Sequence, residues 1–216
     1  MHSQCWPDEP RTSLPVLRQT LLPGELLWEQ GKPSTDLFMV RYGALKLVTL
    51  LSNGEEHLRA FVLRGELIGH EAMAGQTRHS RAEVLEETAV CRIHWPLNEM
   101  PLAALAPGLL RRLATLLLQA EDTRQPEDDP RRALLRYLTA LRRRIGVPDG
   151  ACGGQQLRLP MSRADLASYL GFAEGTVCRT LRALAREGQL KVRGRTVWLP
   201  AAPAAGSAAA PSNQRG

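Results

Sequence analysis

Between residues 174 and 186 one short segment gathers the side chains best suited to read a nucleic acid. Glu174, Gly175, Thr176, Cys178 and Arg179 open it, and Arg182 and Arg186 follow at spacings of three and four. At helical period the arginines share one side, while Val177, Leu181 and Leu184 share the other. An arginine near the start of such a helix can donate two parallel hydrogen bonds to guanine O6 and N7. A thiol is a weaker hydrogen-bond partner but can touch a thymine methyl. The chemistry on offer is base reading by Arg179, with Thr176, Arg182 and Arg186 placed to meet phosphates.

The flanking sequence supplies the elements that must hold this segment. Ser162 can cap a preceding helix, with Asp165 three residues on as its capping-box partner. Leu166, Ala167 and Leu170 give that helix an apolar face. Gly171 stands where a chain leaving a helix takes a positive φ. The second helix is predicted to start near Ala173 or Glu174, to run to about Arg186 and to end at Gly188. Short strands at 189–192 and 196–199 then flank Arg193-Gly194-Arg195 as a tight turn. Two helices around a glycine turn, followed by a basic hairpin, outline a winged helix-turn-helix. Such a unit sets its second helix in the major groove and rests the hairpin on the backbone. Ser162, Arg163, Arg193 and Arg195 join Thr176, Arg182 and Arg186 as candidate backbone contacts.

Charge is distributed to match. The chain has 216 residues and a net charge of +6. Residues 1–129 carry 13 Lys/Arg and 18 Asp/Glu, whereas residues 130–200 carry 14 and 4. The basic excess therefore lies in the segment that would face phosphates. A basic membrane-surface domain fits less well, because no helix there sets bulky apolar residues against lysines. No apolar run approaches membrane-spanning length, and the first residues lack the apolar core of a signal peptide. The expectation is a cytoplasmic protein with no membrane partner.

Upstream, short β-like runs alternate with turn residues from 21 to about 94, as in a small sandwich or barrel. Ser52-Asn53-Gly54 is a strong hairpin signal between two of them. Residues 1–20 read as an arm with a short helix near 15–20. A helix over 96–120 shows a wide stripe of Leu109, Leu113, Leu116, Leu117 and Ala120, suited to packing on the barrel and on a second chain. Residues 122–130 break the pattern as a hinge. A helix over 131–145, a loop over 146–155 and a strand over 156–160 precede the helix-turn-helix. Residues 201–216 are of low complexity and read as a disordered tail. The division is arm 1–20, sensor domain 21–95, dimerisation helix and hinge 96–129, DNA-binding domain 130–200 and tail 201–216.

The order of parts, with the segments GELLWEQGK, RYGALKLVT, NGEE, RGELIG, ETAVCRI and MSRADLASYLGFAEGTVCRTLRAL, resembles the Crp/Fnr family over about residues 20–199. The fumarate-nitrate-reduction branch is nearer than the cAMP branch. The resemblance implies an α+β fold: an N-terminal double-stranded β-helix (a cyclic-nucleotide-binding-like β-roll), a connecting dimerisation helix and a C-terminal winged helix-turn-helix. It also implies a homodimeric transcriptional regulator whose β-roll senses a signal, with double-stranded DNA, as a palindromic operator, and RNA polymerase as partners. The family's recognition pattern is Glu, two spacers, Ser or Gly, then Arg. Those positions hold Gly175, Thr176, Val177, Cys178 and Arg179. The arginine is kept and the acidic reader is lost, with Glu174 one place earlier as a substitute. Glu174, Gly175, Cys178 and Arg179 are thus the candidate base contacts.

The resemblance also frames the effector site. The family's phosphate site uses a Gly-Glu pair, matched by Gly65-Glu66, and an Arg-Ser pair, which falls on Ser80-Arg81 in inverted order. This argues against cAMP. Cys91 matches the distal ligand of the family's iron–sulfur cluster, but only Cys5 lies near the N-terminus, while Cys152 and Cys178 fall in the DNA-binding domain. A family-type cluster is disfavoured, and the cysteines read most simply as free thiols. A haem iron on one of His57, His70, His79 or His94 stays open; no spacing marks a metal site, so the cofactor is left unknown. A regulator whose β-roll is only a scaffold, or a small-molecule-binding module, are the alternatives. No Ser/His/Asp set, P-loop or metal-hydrolase motif is present, and the chain is not expected to be an enzyme.

Overall fold

The computed structural model describes residues 17–94, 127–149 and 154–200. The expected helix over 96–120, most of the hinge, the start of the arm and the tail lie outside the described residues.

Residues 17–94 form eight strands: β1 (Leu17–Leu21), β2 (Leu26–Trp28), β3 (Asp36–Tyr42), β4 (Ala44–Leu50), β5 (Glu56–Leu63), β6 (Leu67–Ile68), β7 (Arg81–Val84) and β8 (Thr88–His94). They pair antiparallel in two four-stranded sheets, in the orders β1-β8-β3-β6 and β2-β7-β4-β5. Side chains alternate across each strand. Phe38, Val40, Leu45, Val62, Ile68, Val84 and Val90 therefore meet in the roll, while Leu37, Met39, Cys91 and Ile93 form a second cluster with Leu67 and Ala72. The hairpin signal holds: the β4–β5 turn places Gly54 at φ 85°, and the Asn53 side chain accepts from the amide of Glu55 at 3.0 Å.

Residues 15–20, expected to include a short helix, are instead extended from Leu17. β1 runs against β8 from Leu17↔Arg92 to Leu21↔Thr88. Pairing the backbone groups of β8 outweighs the weak local helical pattern. The sheet domain thus begins before residue 21.

The second unit comprises α1 (Pro130–Ile145), β9 (Val147–Asp149), β10 (Gly154–Arg158), α2 (Arg163–Leu170), α3 (Glu174–Arg186), β11 (Lys191–Arg193) and β12 (Thr196–Leu199). Asp129 starts α1 by accepting from the amide of Arg131 at 3.0 Å, and Pro130 fits the first turn. The loop expected over 146–155 contains β9 and the start of β10, and β10 ends at Arg158 rather than at residue 160. β9 is a three-residue edge strand with a central proline, so it has no alternation to read; it exists through its pairing with β10. The sheet order is β11-β12-β10-β9.

Leu134, Leu138, Leu157, Leu166, Val177, Leu181, Leu184 and Val197 fill the core of this unit. That core is continuous with Ala44, Val48, Leu58, Phe61 and Leu63 of β4 and β5. The two units therefore share a packed seam.

Candidate nucleic-acid interface

α2 begins at a complete capping box. Ser162 Oγ accepts from the amide of Asp165 at 2.9 Å, and Asp165 Oδ2 accepts from the amide of Ser162 at 3.3 Å. Gly171 takes φ 77°, and its amide donates to Ala167 O. No β-carbon hinders that left-handed turn. The chain reverses quickly, and α3 starts three residues later. Val177, Leu181 and Leu184 are buried, at 1%, 3% and 0% exposure, and so fix which side of α3 faces out.

The outward side carries Glu174, Gly175, Arg179, Arg182 and Arg186, all exposed, with Cys178 half-buried among them. Arg179 Nη2 donates to Thr176 Oγ1 at 3.2 Å, and a β-carbon at Gly175 would lie 3.5 Å from Arg179 Nη1. A β-carbon at that distance would be in ordinary van der Waals contact, so the bond to Thr176 is what holds the guanidinium along the start of the helix. Ala173 offers no side-chain cap, and the amide of Thr176 turns back to Ala173 O at 2.9 Å. An open groove of about 1030 Å³ follows this face, lined by Arg163, Cys178, Arg179, Arg182, Arg186 and Val192.

The wing stands beside it. β11 and β12 pair from Lys191↔Trp198 to Arg193↔Thr196, and the turn carries Arg193 and Arg195 into solvent. Arg163 is half-buried and donates to Gly194 O at 2.7 Å, so it ties α2 to the wing tip rather than projecting freely. Burial holds its guanidinium below the usual arginine value. Arg195 reaches Pro160 O at 3.4 Å. Ser162 is occupied by its capping bonds, and Thr176 by Arg179. Arg182, Arg186 and Arg193 have no ion-pair partner among the described residues.

The four effector candidates are not assembled into one cradle. Gly65 makes the β5–β6 turn at φ 83°. Glu66 Oε2 accepts from the amide of Leu63 at 3.0 Å, and Glu66 Oε1 pairs with Arg144 of α1. Arg81 binds both oxygens of Glu56, at 2.7 and 2.9 Å. Ser80 O accepts from Trp28 Nε1 at 2.8 Å.

A different arginine occupies the roll. Arg78 is 4% exposed. Its guanidinium lies 4.4 Å from the Trp28 ring centre and 5.6 Å from that of Phe38. It donates to Asp36 O at 2.6 Å and faces Glu71 at 3.5 Å. Gly69 closes the site at φ 85°; a β-carbon there would lie 2.5 Å from Arg78 Nη1. Arg78 is not among the sequence candidates: it precedes β7, so no strand alternation marks it, and Trp28, Phe38 and Asp36, which enclose it, lie far off in the chain.

These contacts do not favour a cyclic-nucleotide phosphate, because the Gly65 amide already donates to Val40 O, Arg81 to Glu56 and Arg78 to Asp36 O. The cysteines do not fit a family-type cluster. Cys91 is fully buried and disulfide-bonded, which corrects the free-thiol expectation for it, and Cys178 is a free thiol on α3. His57, His70, His79 and His94 are all exposed, and no group of three or more metal-binding side chains occurs among the described residues.

Comparison with known proteins matches residues 18–96 to the cyclic nucleotide-binding domain and residues 111–203 to the Crp-like helix-turn-helix domain. The chain is 34% identical to the transcriptional activator protein anr of Pseudomonas aeruginosa, over 82% of this chain and 73% of that protein. The chain belongs to the Crp/Fnr family of transcriptional regulators. Another Crp/Fnr relative, transcriptional activator protein FnrA of Stutzerimonas stutzeri, is 33% identical over 81% of this chain and 72% of that one. Among solved structures, FixK2 from Bradyrhizobium japonicum superposes with a TM-score of 0.73 at 27% identity, covering 86% of this chain and 93% of that one. The Crp/Fnr fold expected from the sequence, β-roll and winged helix-turn-helix, is the fold observed. No helix among the described residues is long and apolar enough to cross a membrane.

Proposed function

We propose that this Crp/Fnr protein is a cytoplasmic regulator that binds a palindromic operator as a homodimer and acts on RNA polymerase. In this reading α3 enters the major groove and the wing rests on the backbone. The observation that carries it is the exposed Arg179 guanidinium, oriented by Thr176 at the start of a helix whose opposite face is core. Arg179 reads guanine. Glu174, Gly175 and Cys178 set the neighbouring base preferences, so the operator keeps the guanine and departs from the family half-site beside it. Arg182, Arg186, Arg193 and Arg195 neutralise phosphates. Ser162, Arg163 and Thr176 support backbone contact by holding α2, the wing and Arg179 in place. The chain has no catalytic role in this reading.

A second reading concerns the β-roll. Arg78 is committed to Asp36 and Glu71, and Glu66 to Arg144, which favours a scaffold over a cyclic-nucleotide sensor. Selection from random duplexes tests the main reading. The expected outcome is an inverted repeat with a guanine in each half-site, bound with a salt slope of about −0.9 per neutralised phosphate. Recovery of an unmodified family consensus contradicts the specificity assigned to Gly175 and Cys178, and no enrichment contradicts the function.

A further inference from the structure

The seam between the β-roll and the helix-turn-helix is built from specific contacts. Phe61 of β5, Tyr137 of α1 and Tyr169 of α2 form a triangle of rings with centroids 5.2, 5.4 and 6.3 Å apart. An ion-pair group closes one part of it: Lys46 Nζ lies 2.9 Å from Asp165 Oδ1 and 3.2 Å from Glu83 Oε1, with the lysine side chain only 16% exposed. Lys46 and Glu83 are direct cross-strand neighbours on β4 and β7, so the ammonium is held from below before it reaches α2. A second pair joins Glu66 to Arg144, which also donates to Phe61 O at 3.3 Å. All these contacts fall on α1 and α2, while the arginine row of α3 stays exposed.

A DNA-binding unit joined to its neighbour by chain alone samples many orientations, and fixing one on binding costs affinity. A dimer adds a geometric demand: its two recognition helices must meet half-sites about one helical turn, roughly 34 Å, apart. One base pair of misplacement is about 3.4 Å. We propose that Lys46 and Glu66 are positioning residues for operator recognition: they clamp α2 and α1 to the β-roll and so set the half-site separation the dimer accepts. Asp165 serves both sides of the arrangement, as the capping-box acid of α2 and as the partner of Lys46. Glu66, at the β5–β6 turn and bonded to the Leu63 amide, acts here as a strut. The inference rests on the dimeric operator reading above.

The test uses the full chain and three probes: the selected palindrome, the same palindrome with half-sites moved apart or together by one to three base pairs, and a duplex with one half-site. The wild type should bind one spacing best. Lys46→Met with Glu66→Gln should lose about tenfold at that spacing, flatten the preference among spacings to within about threefold, and keep single half-site affinity. Lys46→Arg should retain the wild-type profile. Exchange of charge, Glu66→Arg with Arg144→Glu, should restore the profile lost in Glu66→Arg alone, and this pair decides the matter if the first variant folds poorly. An unchanged spacing profile, equal losses on half-site and palindrome, or no restoration by the exchange would overturn the proposal. A wild type that binds palindrome and half-site alike overturns the dimeric reading itself, and the inference with it.

Discussion

The guanidinium of Arg78 lies over Trp28, 4.4 Å from the ring centre, with Nη2 donating to Asp36 O at 2.6 Å. Glu71, itself buried, faces it at 3.5 Å. Burial pushes the Arg78 pKa down, opposed by the charges of Glu71 and Asp36. A buried ion of this kind is stable only while its partners are present.

Removing both partners should therefore cost less than the two single removals added together. Arg78→Met should lower unfolding free energy by about 3–5 kcal/mol, because it leaves Glu71 buried and unpaired. The double variant Arg78→Met with Glu71→Leu should be less destabilised than the sum of the singles, by about 1–3 kcal/mol. Denaturant titrations of the four proteins supply the cycle, and Trp28 fluorescence reports loss of the stacked guanidinium. Simple additivity would show that the pair is not coupled.

Acid should loosen both units through carboxylates that the fold stabilises as anions. For Asp165, burial raises the pKa, but hydrogen bonds from Ser162 and Lys46 prevail and hold it below its ordinary 3.8. For Asp36, burial again raises it, and bonds from Arg92, His94 and Thr35 prevail. A lowered carboxylate contributes stability above its unfolded value and loses it as pH falls through the folded one. Unfolding free energy should thus decline below about pH 4, and Asp165→Asn should flatten part of that decline. Unfolding curves between pH 2 and pH 6, as order-of-magnitude bounds on the window, check the sign; a slope identical in Asp165→Asn contradicts it.

The wing should contribute affinity without sequence preference. Arg193 is exposed at the tip, and Gly194 beside it is held by Arg163. Arg193→Ala should weaken every duplex alike and reduce the magnitude of the salt slope by about 1. Gel-shift series on the operator and on a scrambled duplex measure both. A loss confined to the operator would move Arg193 from the backbone to a base.

Much of the helix-turn-helix was legible because its signals are local. Ser162 and Asp165 are three residues apart, Gly171 follows directly, and Val177, Leu181 and Leu184 set the phase of α3 within a few turns. Arg78 escaped such signals, because it precedes β7 and is enclosed by Trp28, Phe38 and Asp36 from distant parts of the chain. The clamp was not legible. Lys46 meets Asp165 across 119 residues, and Arg144 meets Glu66 across 78. No periodicity encodes such pairings, because they depend on how two finished domains pack. β1 escaped for a related reason: LRQTL is exposed at four of its five positions and is a strand only because β8 needs a partner.

The most direct measurement is the affinity of Arg179→Ala for the selected operator and for a variant with the half-site guanine replaced, compared with wild type on the same two duplexes. Arg179 is exposed, and its guanidinium is set by Thr176 over Gly175. The wild type should prefer the guanine by about 1–3 kcal/mol, and Arg179→Ala should erase that preference while still binding both duplexes through its phosphate contacts. An Arg179→Ala protein that discriminates as well as wild type would mean that α3 does not read the operator through this residue.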